Sequence, residues 1–70
     1  MDINDANFNV GFQFTNFSCG EYVKAESFHD AIGKAFTEIY LKGFAQSGMA
    51  LVAIHVWQKM ANGEWKGVTE

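Results

Sequence analysis

From residue 8 to residue 14 the chain alternates apolar and polar without a break: Phe8, Val10, Phe12 and Phe14 fall on one side of a pleat, Asn9, Gly11 and Gln13 on the other. The alternation predicts a half-buried strand. Residues 15 to 20, with Asn16, Ser18 and Gly20, read as a turn, after which Glu21 to Glu26 returns as a second strand with Val23 and Ala25 inward and Tyr22, Lys24 and Glu26 outward.

The period then changes from two to between three and four. Ser27 and Asp30 have capping-box spacing, so the serine hydroxyl is placed to accept an amide hydrogen bond and a helix is predicted from Phe28. Phe28, Ile32, Ala35, Phe36 and Ile39 form its apolar stripe, flanked by Ala31 and Tyr40, and Gly43 is a natural stop. Asp30 with Lys34, and Glu38 with Lys42, are acid-before-base pairs on the wet side.

Leu51 to Met60 is a β-branched and aromatic run that predicts a third strand, and a fourth follows from Glu64 to Val68 or Thr69. Between them Asn62-Gly63 signals a tight hairpin, since both residues tolerate the positive φ of a type I′ turn. A two-residue loop would set Ala61 against Glu64, Met60 against Trp65, Lys59 against Lys66 and Trp57 against Val68. Val52, Ile54, Val56, Met60 and Trp65 then share the face under the helix. Leu51, Ala53, His55, Trp57, Lys59, Lys66 and Val68 share the other. The expected architecture is α+β, in the order ββαββ: a four-stranded antiparallel sheet with one helix packed on one face. Residues 1–7 read as a loose N-terminal segment and 8–70 as a single domain.

Composition agrees with a folded domain. Nearly half of the 70 residues are apolar and seven are phenylalanine, which separates the chain from disordered tails. The longest apolar run, Met49 to Ile54, is too short to cross a bilayer, and the acidic start Met1-Asp2-Ile3-Asn4-Asp5 is unlike a targeting peptide. Cys19 is the single cysteine, so no disulfide forms within the chain; a free thiol suits a reducing, cytoplasmic setting and makes the Asn16-Phe17-Ser18 sequon a chance match. The formal charge of −3 and the absence of arginine weigh against a direct reader of nucleic acid.

Catalytic chemistry has few candidates. Cys19, His29 and His55 are expected on a turn, a helix start and an open sheet face, with no obvious convergence and no close-spaced metal-ligand pair. The glycines fall at turns, caps and single strand or helix positions rather than in a phosphate-binding order. The expectation is a protein that is not an enzyme and needs no cofactor or metal.

The feature that exceeds structural need is the outward sheet face, where the register gathers His55, Trp57, Lys59, Lys66 and Val68, with Tyr22 and Lys24 beside them. An exposed aromatic with a polar rim is a candidate binding patch. The plainer reading is a Trp57–Val68 cross-strand pair stiffening a solvated sheet. Lys59 opposite Lys66 is a mild conflict that would suit an acidic partner, and Leu41 is a second exposed apolar candidate.

Two strings, Lys24-Ala25-Glu26-Ser27-Phe28 at the strand-to-helix junction and Asn62-Gly63-Glu64-Trp65 in the last hairpin, resemble those of small phage-encoded anti-CRISPR proteins of the type I-F group. The resemblance implies a stoichiometric inhibitor that docks on a host CRISPR surveillance complex, in some members through a basic sheet-side surface. Lys24, Lys59 and Lys66 reproduce part of such a surface, while the net negative charge and the lack of arginine depart from it. The matching strings are structural, so no functional residue is carried over from them. The function expected is a non-enzymatic protein-binding module acting on a host protein or complex. Two alternatives stay open: a structural protein that self-associates as a homodimer, and a small nucleic-acid binder stacking bases on Trp57 and Tyr22.

Overall fold

The computed structural model describes residues 5–43 and 50–68. Five elements follow in order: β1 (Phe8–Phe14), β2 (Ser18–Val23), α1 (Phe28–Leu41), β3 (Leu51–Lys59) and β4 (Trp65–Val68). The strands form one sheet in the order β2-β1-β3-β4, every neighbouring pair antiparallel. The fold is the expected small α+β arrangement. Thr69, Glu70, residues 44–49 and the first four of the N-terminal segment lie outside the described residues.

The perfect alternation of β1 places it at the centre of the sheet. Phe8, Val10, Phe12 and Phe14 are all buried, and Val23, Ala25 and Val56 join them from either side. Each large side chain withdrawn from water here contributes roughly 1.5–3 kcal/mol. β2 begins three residues earlier than the glycine and serine content suggests: the chain reverses over Thr15 and Asn16, the Phe14 N–H donates to the Phe17 carbonyl (2.8 Å), and Phe17 stacks on Phe14 at 5.0 Å.

The helix starts as its capping residues require. Ser27 Oγ accepts from the Asp30 N–H (3.1 Å) and Asp30 Oδ2 accepts from the Glu26 N–H (3.0 Å), so two amides at the helix start are satisfied reciprocally. At the other end Gly43 takes φ +79° and its N–H donates to the Tyr40 carbonyl. The buried stripe is narrower than expected: it consists of Ala31, Ala35 and Ile39, while Phe36 is 43% and Tyr40 65% exposed. Two alanines four residues apart let the helix approach β1 and β2 closely, and the bulkier Phe36 is displaced to the flank, its ring meeting Phe12 edge-on at 6.0 Å. Because α1 sits over β1 and β2, Val52 and Ile54 on the same face of β3 remain exposed.

Lys34 pairs with Asp30 at 3.1 Å as the spacing predicts. Lys42 does not pair with Glu38. It stands one residue past the helix and reaches Glu21 on β2 at 2.6 Å, joining the helix end to the outer strand.

The last hairpin differs from expectation by one residue, with large consequences. Met60 N–H donates to the Glu64 carbonyl (2.7 Å) and Gly63 N–H to the Met60 carbonyl (2.9 Å), which closes a three-residue loop over Ala61, Asn62 and Gly63. Gly63 has φ +87° whereas Asn62 does not enter the positive region, so the turn is not type I′. This is the turn-plus-glycine-bulge connection, with the Asn62 side chain accepting from the Glu64 N–H (3.0 Å). Lys59 therefore faces Trp65, Gln58 faces Lys66, Trp57 faces Gly67 and Val56 faces Val68. One added loop residue turns every β4 side chain to the face opposite the expected one.

Packing also begins before Phe8. Ala6 is buried, and the Asn7 side chain both donates to the Ala25 carbonyl (2.7 Å) and accepts from the Ala25 N–H (2.8 Å). Its main chain donates to the Val23 carbonyl and accepts from the Lys59 N–H. Asn7 thus fastens the ends of β2 and β3, and the folded unit extends two residues into the segment expected to be loose.

A candidate binding face on the open sheet

The face turned away from α1 is built in rows set by strand register. One row runs Tyr22, Asn9, Trp57, Gly67 across the four strands; the next runs Gly20, Gly11, His55. Trp65 stands on the same face of β4, two residues before Gly67.

Glycines make room for the rings. A Cβ built on Gly11 would sit 3.3 Å from Trp57 Cζ3, and one on Gly67 would be 4.0 Å from its Nε1, so the indole spans from β4 to β1 with bare backbone at both ends. The ring leaves 37% of the residue exposed. His55 lies beside it, with ring centroids 6.0 Å apart at a tilt of 32°. Tyr22 meets Trp65 edge-on at 5.5 Å and 63°, so side chains from the two outermost strands touch above the inner pair. A shallow depression of about 720 Å³ opens beside Trp57, lined among others by Gly11, Gly20, Gln13 and His55.

The charge on this face is one-sided. The four strands carry a single carboxylate, Glu21, and it lies on the helix side, engaged by Lys42. Lys59 is on the open side, next to Trp65 in the register, and Lys24 follows directly after β2.

Of the residues expected on this face, the register groups Tyr22, His55, Trp57 and Lys59. Lys66 and Val68 are not among them: paired with Gln58 and Val56, they lie on the helix side, because the three-residue loop reverses β4. The opposition of Lys59 and Lys66 consequently does not occur, nor does the Trp57–Val68 pair. Trp65, assigned by the tight-turn register to the core, belongs to the open face instead. The clue was available in the sequence, since a lone glycine at position 63 satisfies the three-residue loop as well as the two-residue one.

The register sets Cys19 and His55 on opposite faces of the sheet, although both line the depression beside Trp57. Cys19 faces the helix side opposite Phe12, His55 faces the open side, and His29 is on the first turn of α1 against the Phe28 ring. Burial, and then the charge of Glu21, push the Cys19 thiol above its ordinary range, which disfavours the reactive thiolate. No group of three potential metal ligands occurs among the described residues, and no helix among them is long and apolar enough to cross a membrane. Comparison with protein-family models, with curated proteins and with solved structures found no match to this chain.

Proposed function

We propose that the chain is a non-enzymatic protein-binding module that docks through its open sheet face on an acidic patch of a partner protein. The observation that carries this reading is the grouping of Tyr22, Trp57 and Trp65 over glycine backbone on a face whose strands present lysine and no carboxylate. Large aromatic rings supply contact area with little rotamer entropy to lose, and they concentrate binding energy at protein interfaces. A lysine rim adds steering toward negative charge. The same rings would stack bases, but a chain with no arginine and a net charge of −3 is poorly matched to a phosphate backbone. The anti-CRISPR resemblance offers a class of partner, a host defence complex bound stoichiometrically.

Affinity capture from the cell of origin, read by mass spectrometry, tests it. The native chain and Lys66→Glu are expected to capture the same partner, and Trp57→Ala with Trp65→Ala to lose it. Equal capture by the double variant would remove the open face from consideration. Binding that appears only with nucleic acid and collapses as salt rises would favour the base-stacking alternative.

A self-associating role draws on a different observation, the exposure of Val52 (59%) and Ile54 on β3. Light scattering across a concentration series is expected to reveal a dimer under that reading, and a concentration-independent monomer excludes it.

A further inference from the structure

We infer that the outer edge of β2, together with the flank of α1 above it, forms a second binding site that takes an extended peptide of a partner protein as an added strand. β2 ends the sheet. In its ladder with β1 the hydrogen-bonding groups alternate inward and outward: Phe17 and Val23 direct their carbonyls to β1, and the Lys24 carbonyl points the other way, where Lys34 Nζ reaches it at 3.0 Å. The same alternation turns the N–H and C=O of Gly20 and Tyr22 outward. Among the described residues nothing hydrogen-bonds to them on that side. They are a short, bare edge of the kind that accepts another strand.

A groove of about 550 Å³ runs along this edge between β2 and α1. Its helical wall is made in part by Gly33 and Thr37, and a Cβ built on Gly33 would meet nothing within 4 Å. A glycine in the middle of a helix is unfavourable for the helix itself, and here it widens the groove where a helix-facing side chain of an added strand would lie. Charge sets the direction of the guest. Lys24 lines the groove where Lys34 reaches its carbonyl, and Glu38 lines it near the Lys42–Glu21 pair. Among the described residues neither side chain is in a hydrogen bond or ion pair, although the Glu38 charge acts on Lys42, whereas Lys34 and Lys42 are held by Asp30 and Glu21. The site therefore fits an extended segment with an acidic residue toward Lys24 and a basic one toward Glu38. Tyr22, whose ring belongs to the open face, also lines this groove; Trp57 and Trp65 do not, so the site is tested apart from them.

The test is selection of a phage-displayed library of random dodecapeptides on the immobilised 70-residue chain, with Gly33→Leu as counter-selection target. An added Cβ at Gly33 meets nothing within 4 Å and leucine favours the helix, so this variant is expected to keep its fold, which its circular dichroism checks. Enriched peptides are expected to carry the acid and base at opposite ends. They should bind Gly33→Leu at least tenfold more weakly, bind Trp57→Ala undiminished, and slow amide exchange at Gly20 and Tyr22 in the labelled native chain. Failure to enrich any peptide would overturn the inference, as would enriched peptides that ignore Gly33→Leu or leave those two amides unprotected. Protection of the same amides by self-association alone would assign the edge to a second copy of the chain and overturn it equally.

Discussion

The indole of Trp57 rests on Gly11, so close that a methyl group at that position would stand 3.3 Å from Cζ3. The ring is thus laid flat by the missing side chain of its neighbour on β1. Gly11→Val is expected to lift the indole outward and to destabilise the fold by about 1 kcal/mol, the lower end of the range for overpacking, because the ring has solvent to move into. In a Trp65→Phe background, the emission of Trp57 should shift to the red. Unchanged emission and stability would show that the glycine does not set the ring's position.

Asn7 is held by four hydrogen bonds through side chain and main chain. Asn7→Ala removes the two made by the side chain and leaves the partly buried Ala25 amide and carbonyl without partners. The expected loss is about 1–3 kcal/mol, read as a lower denaturation midpoint with an unchanged slope. A loss near zero would mean that the N-terminal segment is no part of the folded unit.

Gly33 lies within α1 and a side chain there meets no neighbour. Gly33→Ala should stabilise the protein by about 0.5–1 kcal/mol, through helix propensity alone. Thermal unfolding measures it, and destabilisation would reveal a contact at that flank.

Hydrogen bonding from the Glu26 amide and then from Lys34 holds the Asp30 carboxyl below its ordinary value of 3.8. A carboxyl depressed in the folded state contributes stability that is present above its ordinary value and is lost as pH falls through the folded one. Stability of the native chain should therefore decline more steeply below pH 3.8 than that of Asp30→Asn, in acid titrations followed by circular dichroism. Identical acid limbs would remove Asp30 from the linkage. Lys42 carries the opposite sign: the Glu21 bond raises it above 10.5, so its contribution fades only in strong alkali.

Much of this fold is legible along the chain, and the illegible parts have specific causes. β1 and α1 follow from strict alternation and from the Ser27 cap, both local signals with one dominant solution. The helix face shifted toward Ala31 and Ala35 because periodicity locates a stripe but not how near the helix approaches the sheet, and small residues permit the closest approach. The β4 register failed because Asn62-Gly63 fits two hairpin loops that differ by one residue, and a one-residue difference exchanges faces. Trp57 keeps the open side, set by the parity of β3 against β1, whatever the turn. Lys66, Val68 and Trp65 depended on it. Asn7 gave no signal, since its partners are 18 residues away and further.

The aromatic surface assembled by that three-residue loop is the central claim, and proton–proton contacts between the Tyr22 ring and the Trp65 indole test it most directly. With ring centroids 5.5 Å apart, the two should give clear cross-peaks in a nuclear Overhauser spectrum, together with contacts from Trp57 to the Gly11 and Gly67 α-protons. Cross-peaks from Trp65 to Met60 and Ile54 instead, with none to Tyr22, would place that indole beneath the helix and contradict the account.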